Sequence, residues 1–237
     1  MMNKQLLYLL VLPVLFTACK SKCVEDLGIH ATRDFALKPF DEIKVSGPIR
    51  LVMRQDSTYK VNVQADSAVI GLVKVEVSGH ELELKLDAKS YCGKDSIIIN
   101  AGIGDLKKLK ADGAGHIYTS SLINVNDLEM NLSGATMMMM QMNAGKLTTN
   151  TDGAANVALL GQAGVHELKG KGAIQLTAFD FVTGVSDISV EGVAKLKINV
   201  LNELNINSTG SADISYKGSP KKLQEKKTGT YKLEKVN

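Results

Sequence analysis

The 237-residue chain has no tryptophan, 5% aromatic residues, four prolines, three cysteines and three arginines, Arg33, Arg50 and Arg54. Each scarcity excludes something. Sugar-binding platforms and antibody-like interfaces lean on aromatic side chains, and few are available. So few guanidinium forks make recognition of phosphate by clustered arginines unworkable. The 28 basic and 25 acidic residues leave a net charge of +3. That is too balanced for a nucleic-acid protein, whose cations gather on one face. No internal apolar run approaches the roughly 18 residues of a membrane-crossing helix. The sequence also lacks a G-x-S-x-G elbow, a Walker loop, a dinucleotide fingerprint and nine-residue calcium repeats. Its four histidines, His30, His80, His116 and His166, are scattered without metal-ligand spacing, so each reads as an exposed polar residue. No metal and no cofactor are expected.

What the chain does have is a phrase, apolar-polar-x-polar-Gly-small, repeated six times. Its glycines are Gly113, Gly134, Gly153, Gly172, Gly192 and Gly210, spaced by 21, 19, 19, 20 and 18 residues. A constant period of this length is the mark of a stacked repeat. Four residues before each glycine lie Leu109, Met130, Thr149, Leu168, Ile188 and Ile206; four after lie Ile117, Met138, Val157, Leu176, Leu196 and Ile214. The positions one and three before are all polar, so the pattern has period 2 and predicts strands. A coil of roughly 19–20 residues holds about three short strands, and coils stack at about 4.8 Å. The expected fold is therefore all-β: a right-handed parallel β-helix or solenoid over residues 35–235, with six clear repeats within 109–219. The Gly-small column (Ala114, Ala135, Ala154, Ala173, Val193, Ser211) reads either as a steric requirement of the coil's bends or as a docking strip.

Residues 35–101 alternate less regularly. Ile43–Leu51 carries the phrase once more around Gly47, and longer coils or hairpins are expected there as a cap. Ser67–Val73 is a candidate short helix, and Ser78-Gly79-His80 a turn. At the other end, Tyr216-Lys217-Gly218-Ser219-Pro220 breaks the period, and a short strand, Thr230–Leu233, is expected to close the array.

Residues 1–18 read as an export signal, with Lys4 before the apolar stretch Leu6–Phe16. The following Phe16-Thr17-Ala18-Cys19 resembles a bacterial lipoprotein signal. That resemblance implies cleavage before Cys19 and lipidation of its side chain, which leaves 27 basic against 25 acidic residues. Residues 19–34 read as a polar tether. Lys20-Ser21-Lys22 has no acidic run, so a periplasm-facing and a surface-exposed outer-membrane lipoprotein both remain open. Cys23 and Cys92 are left over; in an exported protein they either pair or stay as two thiols.

Catalytic constellations are thin. Asp112 and Asp152 occupy one column two coils apart, about 10 Å at the strand spacing, near the separation of an inverting carboxylate pair. As solvated turn residues they need no catalytic role. In the run Met137–Met140, alternation turns Met138 and Met140 inward and Met137 and Met139 outward. The outward pair reads as a contact surface or as filler; too few sulfurs gather for copper.

The lipoprotein signal, Phe40-Asp41-Glu42-Ile43-Lys44-Val45, Asp112-Gly113-Ala114-Gly115, Ser133-Gly134-Ala135, Thr209-Gly210-Ser211-Ala212 and the closing Tyr216-Lys217-Gly218-Ser219-Pro220 together resemble the auto-transporter adhesin head GIN-type domain of Bacteroidetes lipoproteins, over about residues 35–235. The family's Ser-Gly-Ala-Gly is degraded to Asp-Gly-Ala-Ala at 152–155, Lys-Gly-Ala-Ile at 171–174 and Glu-Gly-Val-Ala at 191–194. The resemblance implies a non-catalytic, adhesin-like envelope protein, bound to the membrane by its N-terminal lipid and taking a protein or glycan ligand. Two other readings stand beside it: a β-helical polysaccharide lyase or hydrolase, and a passive structural lipoprotein.

Overall fold

A computed structural model describes residues 23–88 and 90–236, so Cys19 and the expected signal segment lie outside the described residues. Its eleven strands form one sheet. They are β1 (His30–Ala36), β2 (Glu42–Ser46), β3 (Ile49–Gln55), β4 (Lys60–Asp66), β5 (Val73–Ser78), β6 (Glu81–Leu86), β7 (Ile97–Ile103), β8 (Lys108–Gly113), β9 (His116–Thr119), β10 (Ile123–Lys217) and β11 (Lys222–Lys235). The segment expected as a short helix holds a single 3-10 turn, Ile70–Leu72.

β10 runs for 95 residues. A straight strand of that length would reach roughly 310 Å. It bends instead, and the glycines show where. Gly134, Gly153, Gly172, Gly192 and Gly210 have φ between 78° and 120°. A methyl group on any of them would run into the carbonyl oxygen of the glycine one repeat earlier, beginning with Gly113. The residues before, at and after each of these glycines are exposed or half-buried, whereas the positions two and four away on either side are mostly buried. The left-handed glycine interrupts the alternation without shifting its phase, and turns a corner that no other residue can turn without strain. This is the steric role of the Gly-small column.

The alternation between corners is as the sequence predicts. Leu109, Met130, Thr149, Leu168, Ile188 and Ile206 are buried, and so are Ile117, Met138, Val157, Leu176, Leu196 and Ile214. All but the polar Thr149 belong to one apolar core that runs from Phe40 to Ile214.

Strand orientation is mixed, so the expected parallel β-helix does not extend through the whole sheet. The pairs β2/β6, β2/β8, β3/β7, β3/β9, β8/β10, β9/β10 and β10/β11 are parallel. The pairs β1/β4, β4/β7 and β5/β6 are antiparallel. All three lie toward the N-terminal end, where β5 and β6 form a hairpin and β4 pairs antiparallel with both β1 and β7. Gly79 belongs to the β5–β6 turn at φ +59°, not to the glycine ladder.

Two further expectations change. Residues 30–34 are not tether: they pair with β4 as part of β1. The C-terminal strand is not a short Thr230–Leu233 segment but the 14-residue β11, in register from Glu203↔Lys222 to Tyr216↔Lys235. The period survives Pro220, because Gly229, at φ +107°, stands on Gly210. Aligned with the buried Ile206 and Ser208 are Glu225 and Lys227. At the last strand, then, charges take two of the inward positions, beside Leu223, Tyr231 and Leu233.

Candidate functional site

On the side of the sheet formed by β1, β4, β7, β3, β9 and the first turn of β10, the strand register lines up two outward rows of side chains. One runs Asp34, Asn62, Asn100, Val52, Tyr118, Met139; the other runs Thr32, Gln64, Ile98, Arg50, His116, Met137. Between them the row Val63, Ile99, Leu51, Ile117, Met138 is buried. Cross-strand neighbours sit within reach of one another, so each row is a contiguous surface.

The polar end of this face is a cleft of about 770 Å³ lined among others by Asp34, Arg54, Asp56, Lys60, Asn62 and Asn100. Its amides are ordered. Asn62 Nδ2 donates to Asp34 Oδ1 at 2.7 Å, and Gln64 Nε2 donates to Asn62 Oδ1 at 3.0 Å. Arg54 donates to Asp56 Oδ2 at 2.9 and 2.6 Å, and the Thr58 hydroxyl donates to Asp56 Oδ1 at 2.7 Å. The Thr58 hydroxyl first, then its N–H and the Arg54 guanidinium, hold the Asp56 carboxyl down to about 2. The cleft therefore keeps a fixed anion beside a cation at any physiological pH.

The other end is softer. Arg50 lies over the Tyr118 ring at 5.9 Å, and His116 stacks on the same ring at 6.5 Å. Met137 and Met139 follow, 43% and 51% exposed, while Met138, Met140 and Met142 are buried. The outward methionines thus continue a platform containing an aromatic ring and an arginine. Beyond them an open groove of about 480 Å³ takes in His116, Met137, Asn156, Gln175 and Lys195 along the Ala135, Ala154, Ala173, Val193 strip.

Asn62, Asn100, Arg50 and Tyr118 were not candidates from sequence. Their strands alternate visibly, but which strands stand side by side is set by long-range pairing.

The other sequence candidates lie elsewhere. Asp112 and Asp152 are exposed and share a groove of about 320 Å³ with Lys44, Lys110 and Ser133. Ser133 Oγ donates to Asp112 Oδ1 at 3.0 Å, while Lys110 is engaged by Glu81 at 2.6 Å. His30 and His80 are exposed, but His166 corrects the expectation for histidines: it is 2% exposed. Its Nε2 faces Thr149 Oγ1 at 3.2 Å and its ring meets Phe181 edge-on at 6.0 Å. Desolvation pushes it down to about 4, so it is neutral in the core.

At the N-terminal end Cys23 and Cys92 form a disulfide. Beside it, carboxylate oxygens of Asp26, Asp66 and Asp95 lie within 4.8 Å of one another. Protein donors already occupy two of these groups. Asp26 accepts the Tyr91 hydroxyl at 2.6 Å and the N–H groups of Lys94 and Asp95 at 2.5 and 2.9 Å. Asp66 accepts the N–H groups of Ile29 at 3.0 Å and Ala68 at 2.7 Å. The Tyr91 hydroxyl chiefly lowers the Asp26 pKa, and the Ala68 N–H that of Asp66. The cluster is a clamp on the chain's first described residues. Among the described residues, no helix is long and apolar enough to cross a membrane.

Residues 39–220 match the family described as "Putative auto-transporter adhesin, head GIN domain". No curated protein matches the chain. Among solved structures, a putative adhesin from Bacteroides fragilis NCTC 9343 superposes with a TM-score of 0.80 at 22% identity, covering 90% of this chain and all of that one. A putative lipid binding protein from Parabacteroides distasonis ATCC 8503 gives 0.69 at 20% identity, covering 91% and 100%. A putative adhesin from Parabacteroides merdae ATCC 43184 gives 0.61 at 19% identity, covering 90% and 99%. At these identities the likeness is one of fold.

Proposed function

The chain belongs to the family described as putative auto-transporter adhesin, head GIN domain, and from that membership we propose a non-catalytic envelope lipoprotein, anchored through Cys19, that binds a protein or glycan ligand on one lateral β-face. Its body is read as a β-solenoid with antiparallel strands added at its N-terminal end; the glycine ladder and the seven parallel pairs support this. The observation that carries the binding role is the pair of outward rows from Asp34 to Met139 and from Thr32 to Met137. Such a face offers hydrogen-bonding amides at one end and a polarizable, adaptable surface at the other. Exchange of Asp112 or Asp152 is expected to cost nothing in binding, because neither lies on that face. Localisation at the outer membrane follows from the signal segment, with its side left open.

The test is a glycan array and an envelope-protein array probed with the mature protein. A specific ligand is expected, with binding reduced at least about tenfold, roughly 1.4 kcal/mol, by Tyr118→Ala and by Asn62→Ala with Asn100→Ala. Silence on both arrays would leave a structural lipoprotein. Product release from a polysaccharide panel, abolished by Asp112→Ala or Asp152→Ala, would establish the enzyme reading instead.

A further inference from the structure

We propose that the N-terminal end of the fold rests on the lipid bilayer itself, with Leu27 and Ile29 as the contacting side chains; this rests on the lipid-anchor reading of Cys19. The first observation is the length of chain between the lipid and the folded body. Only Lys20, Ser21 and Lys22 separate Cys19 from Cys23, and Cys23 is already bonded to Cys92. Four residue steps span at most about 14 Å. The anchored residue cannot lie farther than that from the body.

The second observation is how firmly the next segment is held. Val24 N–H donates to Ser90 O at 3.1 Å, and Cys92 N–H donates to Val24 O at 2.9 Å. Asp26 is taken by three donors, and Ile29 N–H donates to the buried Asp66. The segment is thus not a loose tether, and its outward side chains have a defined direction.

The third observation is what it presents. Leu27 and Ile29 are 68% and 62% exposed, more than any other large apolar side chain among the described residues. They flank Gly28, at φ +74°. Two aliphatic side chains held on the body eight and ten residue steps from an acyl anchor, at most about 29 and 36 Å along the chain, fit the acyl boundary of a bilayer, with the exposed Lys94 suited to anionic headgroups. The anchor makes the contact intramolecular, so a small apolar area suffices. The sheet then stacks away from the membrane: Val193 lies eight strand spacings from β1, roughly 40 Å, and β11 farther still.

The absence of tryptophan makes the test direct. The full-length lipidated protein carrying Leu27→Trp or, as a control of similar exposure, Val193→Trp is reconstituted into phosphatidylethanolamine–phosphatidylglycerol vesicles, with or without brominated acyl chains. Flotation with the vesicles checks anchoring separately. The Leu27→Trp reporter is expected to shift to the blue and lose most of its emission to bromine, and Val193→Trp to keep its emission. Adding Ile29→Asp to the Leu27→Trp protein should restore emission without releasing it from the vesicles. If both reporters float but position 27 is quenched no more than position 193, the docking proposal is overturned and anchoring stands. If neither floats, and Cys19→Ser changes nothing, the anchor reading falls and the proposal with it.

Discussion

Gly172 has φ +97°, and a Cβ there would strike the carbonyl oxygen of Gly153. Both the backbone region and the close approach demand glycine, so Gly172→Ala should destabilise the protein by at least about 2 kcal/mol in urea unfolding. Its neighbour Ala173 is exposed, and Ala173→Ser should be near neutral. His166 is the other telling residue. Its pKa falls from an ordinary 6.5 to about 4 in the folded protein. Above pH 6.5 both states are neutral and the shift costs nothing. As pH falls from 6.5 toward 4 the unfolded chain takes up a proton that the folded chain refuses, and stability drops by about 3 kcal/mol. His166→Phe or His166→Leu should flatten that part of the pH–stability curve. The depressed carboxylates Asp26, Asp56 and Asp66 act in a lower window: they lose their contribution as pH falls below about 4.

Among the elements, β11 is the one whose role the sequence hides. Its outer edge is unpaired, and an exposed edge invites pairing with another chain. Two features oppose this. Lysines are frequent along it, and Glu225 and Lys227, an ion pair at 3.6 Å, take two of the inward positions while Lys227 lies over the Tyr231 ring at 4.7 Å. A strand that continues the coil with Val at both positions should therefore lose this protection. Glu225→Val with Lys227→Val is expected to raise end-to-end association above that of the unsubstituted protein in light scattering, and an unchanged oligomeric state at high concentration would refute the edge role. The N-terminal end solves the same problem differently. There β1 carries Arg33, whose guanidinium lies over Phe35 at 5.0 Å and donates to Ile70 O at 3.3 Å.

Each strand of the sheet is held by the strands beside it, so the ends of the sheet are where the molecule is weakest. The Cys23–Cys92 bond closes a sequence separation of 69 residues at one end. A loop of that length restricts the unfolded chain by up to about 4 kcal/mol. Cys23→Ser with Cys92→Ser should lower the unfolding midpoint, and hydrogen exchange should rise first over residues 24–29 and 90–95. No comparable change is expected in β10. An unchanged midpoint would show that the end opens independently of the core.

Much of this was legible in the chain. The period of the glycine phrase, the inward columns from Leu109 to Ile214 and the outward pair Met137 and Met139 are local matters, set by alternation and by the one residue able to turn a left-handed corner. The strand that continues past Pro220 was readable too, since Gly229 follows Gly210 by 19 residues, but a proline and a run of lysines masked it. Other features depend on residues far apart in sequence and have no local signal. Antiparallel pairing at the N-terminal end, the burial of His166 against Thr149 and Phe181, and the side-by-side placement of Asp34, Asn62, Asn100, Val52, Tyr118 and Met139 were decided only when the strands docked. Alternation tells a side chain whether it faces in or out; only tertiary pairing decides which other side chains it faces out beside.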